Sequence, residues 1–228
     1  MSRGLSFAAQ VTEYSPRKAS SRMLHSPLPF NRLIATCAVV VAMACQGRPD
    51  GDASALRGRV LPGPLPKVEF TLQSARGDPF DFRKETDGFV TLLFFGYTYC
   101  PDVCPIHMAN IAAVKKKLPP DVASRLKVVF VTTDPERDTP ERITQWLSHF
   151  DRSFVGLTGT LEEVNEIQRS IGLGSSVRED LPDGGYGIAH AASVVAYTPD
   201  DQAHVLYGFG TRQEDWAHDL PRLVEMDW

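Results

Sequence analysis

The rhythm of apolar positions changes repeatedly along this 228-residue chain, and each change predicts an element. Residues 33–44 are uncharged and mostly apolar, directly after Arg32. The next stretch, 46–66, is rich in Gly, Pro, Arg and Asp and has no period, the pattern of a flexible tether. A folded unit is expected from Lys67 onward. Residues 70–72 and 79–82 are short strand-like runs around the turn Ala75-Arg76-Gly77-Asp78, predicting an N-terminal hairpin. Residues 89–95 are almost continuously apolar and rich in β-formers, as a strand buried on both faces must be. After Cys104, Ile106, Ala109, Ile111, Ala112, Val114 and Leu118 recur at helical spacing until Pro119 and Pro120 stop them. Residues 126–131 read as a second buried strand, so strand, helix and strand make a parallel crossover.

Thr139-Pro140-Glu141 predicts a helix start, with threonine as cap, proline in the first turn and an acid near the positive end of the dipole. Another helix is expected over 161–171 behind Thr160, then a glycine-rich irregular loop over 172–187. Residues 193–197 and 203–207 flank a turn at 198–202 and predict an antiparallel hairpin, followed by a helix over 213–224. This order predicts an α/β, thioredoxin-like fold: an N-terminal β-hairpin and a central mixed sheet flanked by helices. In that arrangement the strand after His190 runs antiparallel to the strand ending at Phe95. His190 is thereby brought to the sheet edge that carries Cys100 and Cys104.

Composition refines the ends of the chain. The twelve residues 33–44 are too few to span a bilayer, which needs about 20, and fit the apolar region of a secretory signal. Ala42 and Ala44 before Cys45 also resemble a bacterial lipoprotein cleavage box, with Cys45 as the lipid-bearing residue. Met23 would start a more compact signal than Met1. The expected organisation is a signal region over 1–44, a tether over 45–66 and a thioredoxin-like domain over 67–228. The expected location is the extracytoplasmic, periplasmic face of a bacterial envelope, tethered to the membrane. Five basic residues and one acidic residue precede Cys45, leaving 19 against 27 and a net charge of −8. Such an acidic domain, with no basic cluster beyond Lys115-Lys116-Lys117, argues against nucleic-acid binding.

Cys37 lies within the signal and Cys45 at its end, so Cys100 and Cys104 remain for chemistry. A bridge across so short a loop removes little unfolded-chain entropy, which disfavours a purely structural role. Pro101 and Pro105 locate a helix start at this motif, whose free amides favour thiolate over thiol. The pair therefore suits either redox exchange or metal binding. Soft thiolates select Cu(I), zinc or iron-sulfur centres, and two cysteines with one histidine suffice for low-coordinate Cu(I) but fall short of a closed zinc site. Among the histidines, His190 is the expected third ligand and His107, three positions after Cys104, its rival; His25, His149, His204 and His218 read as surface residues.

The runs 94–105 (FFGYTYCPDVCP), 131–140 (VTTDPERDTP) and 154–159 (FVGLTG) occur in order and resemble the Sco/SenC family. That resemblance implies copper held by Cys100, Cys104 and His190, and help in assembling the dinuclear copper centre of cytochrome c oxidase. It implies as partners the copper-accepting oxidase subunit and other copper or thiol-redox chaperones. The protein would be a metallochaperone for Cu(I), and in some states Cu(II), rather than an enzyme in the strict sense. The alternative is a thiol-disulfide oxidoreductase in which Cys100 attacks a partner disulfide and Cys104 resolves it. Alanines flank His190 where the family usually has an acid and a serine, which leaves open what orients the imidazole.

Overall fold

A computed structural model describes residues 55–182 and 184–228, all within the compact unit Gln46–Trp228. Met23, the apolar run at 33–44 and Cys45 fall outside the described residues. In chain order the elements are β1 (Arg59–Pro66), β2 (Thr71–Ser74), β3 (Pro79–Asp81), α1 (Phe82–Glu85), β4 (Val90–Gly96), α2 (Val103–Lys115), α3 (Pro120–Ala123) and β5 (Leu126–Thr132). They continue with α4 (Pro140–Ser148), β6 (Val155–Thr158), α5 (Leu161–Ser170), β7 (Val177–Asp180), β8 (Tyr186–Ala189), β9 (Val194–Tyr197), β10 (Gln202–Tyr207) and α6 (Gln213–Glu225).

Eight strands form one mixed sheet in the order β1-β10-β9-β4-β5-β6-β2-β3, while β7 and β8 make a separate antiparallel pair. Every residue of β4 is buried, because helices cover both faces of the sheet. Val90, Leu92 and Phe94 meet Met108 and Ile111 of α2, Ile143 of α4 and Trp216 of α6 on one side. Leu93 and Phe95 meet Val164 and Ile167 of α5 and Phe82 on the other. Burying such a strand on both faces stabilises by about 1.5–3 kcal/mol per large apolar side chain, an upper figure for a fully extended reference chain. The crossover through α2 delivers β5 parallel to β4, in register from Val90 opposite Leu126 to Gly96 opposite Thr132. On its other edge β4 pairs antiparallel with β9, Phe94 facing Val194, so the end of β4 and the approach to β9 share one edge. The caps at Thr139 and Thr160 form as expected, each hydroxyl accepting a backbone N–H three residues on.

Two expectations are corrected. The tether does not extend through residue 66, nor does the folded unit begin at Lys67: Arg59–Pro66 is an edge strand paired antiparallel with β10. Pro62, Pro64 and Pro66 lack amide protons and would disrupt a central strand, but an edge strand can turn its prolines away from the ladder. The register accordingly shifts between Val60 and Leu65. The loop expected over 172–187 instead contains β7, and with β8 it forms a hairpin, Val177 opposite Ala189. All four residues of β7 are exposed, so no apolar alternation announces the strand.

Candidate metal centre

Cys100 lies before the first turn of α2 and Cys104 within it. Asp102 caps the helix without a side-chain hydrogen bond, leaving first-turn amides free to face the cysteine side chains. The Cys104 amide donates to Cys100 Sγ at 3.4 Å. Behind Cys104 the backbone of Gly96 passes so close that a Cβ there would stand 2.9 Å from Cys104 Sγ. Glycine is required at the end of β4 because the sulfur occupies the space a side chain would fill.

The antiparallel β4–β9 pairing carries His190 to the same place. Its Nε2 lies 3.6 Å from Cys104 Sγ, across 86 positions of sequence. The sulfurs of Cys100 and Cys104 and an imidazole nitrogen of His190 all lie within 4.8 Å of one another, the one such group of potential metal donors among the described residues. His190 Nδ1 contacts the Ala191 carbonyl at 3.1 Å, and a carbonyl only accepts, so Nδ1 carries the proton and Nε2 presents its lone pair. The backbone thus supplies the orienting acceptor that alanines at 189 and 191 cannot. The rings of Phe94 and Tyr97 stand edge-on to the imidazole at 6.1 and 5.8 Å. Tyr97 is buried, and burial raises its phenol.

The two cysteines are free thiols of unequal character. The Cys100 thiol is lowered to about 3, chiefly by the hydrogen bond from the Cys104 thiol, with help from the amides of Cys104 and Asp102. Cys104 is pushed up, because its proton bonds Cys100 and because it is buried. The metal-free pair therefore holds one shared proton on Cys104 and one thiolate at Cys100. Donors about 2.3 Å (sulfur) and 2.0 Å (nitrogen) from a common centre lie within about 4.6 Å of each other. Small side-chain rotations satisfy that requirement. Two sulfurs and one imidazole make a soft, low-coordinate set.

The other residues singled out by sequence sit elsewhere. His107 is buried, and its Nε2 contacts the Ala192 carbonyl at 3.1 Å instead of joining the sulfurs. His204 and His218 pair with Asp200 and Asp219, and His149 is exposed. Asp134 is buried, forms an ion pair with Arg137 and accepts the Tyr186 hydroxyl at 3.0 Å. Arg137 in turn lies 3.5 Å over the Tyr186 ring and donates to its carbonyl at 3.0 Å. These contacts pin the start of β8, the strand that leads into His190. Asp138 accepts from the Thr98 amide at 2.9 Å and from the Thr132 hydroxyl at 2.7 Å, joining the ends of β4 and β5 beneath the cysteine turn. Burial raises its carboxyl against the pull of those bonds. Gly96 and Phe94 were not legible as site residues, because nothing in the apolar run distinguishes a core position from one touching the sulfur.

A family model described as SCO1/SenC matches residues 63–225. A putative copper-binding protein of Stutzerimonas stutzeri is 32% identical over 137 residues, which are 60% of this chain and 65% of that protein. The chain thus spans slightly less than two thirds of that relative's length. The structure of Bradyrhizobium japonicum ScoI with copper bound superposes with a TM-score of 0.62 at 31% identity, covering 70% of this chain and 99% of that one. The solution structure of apo Sco1 from Thermus thermophilus gives 0.61 at 33% identity, over 74% of this chain and 93% of that one.

Proposed function

Because the chain belongs to the SCO1/SenC family, we propose that it binds one copper ion through Cys100, Cys104 and His190 and delivers it as cargo during assembly of the dinuclear copper centre of cytochrome c oxidase. The observation that carries this reading is the approach of His190 to two cysteines that lie 86 and more positions away in sequence. A dithiol oxidoreductase has no need of a third soft donor with a bare nitrogen aimed at its buried sulfur.

Each residue has a distinct part. Cys100, already a thiolate and half-buried, makes first contact with incoming Cu(I). Cys104 releases its proton as the ion replaces it, and His190 completes the set with the lone pair of Nε2. Transfer proceeds by ligand exchange: partner thiolates bind as these donors leave one at a time, and copper keeps its oxidation state. Cys100 and His190 are each only half-buried, which leaves the donor set open to a partner. The protein works at the extracytoplasmic face of a bacterial envelope, tethered through Cys45, a reading supported by the apolar run and small residues before that cysteine.

The alternative, disulfide exchange, is favoured by the unequal cysteines: an accessible thiolate at Cys100 and a buried, protonated Cys104 are the attacking and resolving partners such chemistry uses. Replacing His190 separates the two. His190→Ala is expected to weaken Cu(I) binding by at least about tenfold in competition with a chromophoric chelator, while reduction of a small disulfide proceeds at near the wild-type rate. Unchanged copper affinity would count against the donor set.

A further inference from the structure

His107, on α2, reaches the segment carrying His190 through a backbone carbonyl. Its ring is buried, packed 5.2 Å from Phe94 and capped edge-on by Phe209 at 6.4 Å. Nε2 contacts the Ala192 carbonyl at 3.1 Å, two residues after His190, and Nδ1 has no partner. A carbonyl can only accept, so the proton must sit on Nε2. Apart from this bond the cysteines and His190 are held by different parts of the chain: Cys104 by α2, His190 by the connection between β8 and β9. His107 stands one turn along α2 from Cys104 and joins the two.

We propose that His107 is a positioning residue: by donating from Nε2 to the Ala192 carbonyl it fixes the β8–β9 connection so that His190 Nε2 meets Cys104 Sγ. The proposal rests on the reading of Cys100, Cys104 and His190 as the donor set. It assigns the polar support of the third donor to a side chain on the cysteine helix. Burial of the ring serves the role, because the Ala192 carbonyl is its one hydrogen-bond partner and the bare Nδ1 leaves the ring a single use.

The test uses the reduced full-length chain in two arms. In the metal-free protein, long-range proton–nitrogen NMR reads the tautomer: His107 protonated at Nε2 and bare at Nδ1 is expected, and the opposite tautomer overturns the proposal because no bond to Ala192 could then exist. The second arm measures Cu(I) affinity for His107→Leu, which keeps the volume and loses the donor, and for His107→Gln, whose amide can reach the same carbonyl. Each is made with and without His190→Ala. His107→Leu is expected to weaken binding about tenfold and His107→Gln to restore most of it, and neither should matter once His190 is absent. Wild-type affinity in His107→Leu, or an equal loss in the His190→Ala background, overturns the proposal. If His190→Ala alone binds as wild type, the donor assignment fails, and the tautomer arm still decides the role of His107.

Discussion

Cys100 Sγ receives the Cys104 amide and the thiol proton of Cys104, whereas Cys104 Sγ lies buried against Gly96. The sign of the pH dependence follows. With its thiol lowered to about 3, Cys100 is fully a thiolate from about pH 5 upward, where an ordinary cysteine near 8.5 gains reactivity tenfold per pH unit. In the reduced, metal-free protein, alkylation of Cys100 by iodoacetamide should therefore run at a nearly constant rate from about pH 5 to 8, with Cys104 spared. A rate that climbs steadily over that range contradicts the assignment. Cys104→Ala removes the donated proton and should restore the climb. Gly96→Ala places a methyl group 2.9 Å from Cys104 Sγ. It should displace the sulfur and lower Cu(I) affinity about tenfold, with destabilisation of about 1–3 kcal/mol from overpacking. Wild-type affinity in that variant would show that the sulfur moves freely.

The legible elements were those whose burial imposes a period. β4 and β5 are apolar because both faces are covered, α4 and α5 announce themselves through Thr139 and Thr160, and the β9–β10 hairpin through its turn. Among the elements missed, β1 and β7 bury least, whereas β6, between β5 and β2, is too short for its four residues to carry a period. β1 is an edge strand full of proline, and β7 is wholly exposed, so neither carries an apolar alternation to read. What holds β1 is polar and remote in sequence: buried Asp219 of α6 accepts the amides of Arg57 and Gly58, each at 2.9 Å through Oδ2, and the Tyr207 hydroxyl at 2.9 Å. Removing that carboxylate strands three donors. Asp219→Ala should cost about 3 kcal/mol or more in urea denaturation, and a loss under about 1 kcal/mol would mean that β1 is held by its ladder alone.

At the scale of the molecule the site is a product of topology, since no local segment contains it. The cysteines stood out as a pair at a helix start, and His190 could be placed opposite them once β9 was read antiparallel to β4, as the register of Phe94 with Val194 shows. The supporting contacts were not legible, because the Ala191 carbonyl on His190 and the Ala192 carbonyl on His107 are backbone groups that any residue offers. Beside the site Tyr99 and Phe209 are half exposed. Copper loading should also require reductant, since a Cys100–Cys104 disulfide leaves His190 as the sole remaining donor. The central claim is that this imidazole and both sulfurs bind one ion together. X-ray absorption at the copper edge of the Cu(I)-loaded chain tests it directly: two sulfur neighbours and one imidazole nitrogen are predicted, with the imidazole signal lost in His190→Ala. A wild-type spectrum with sulfur neighbours alone, or one unchanged by that substitution, would contradict it.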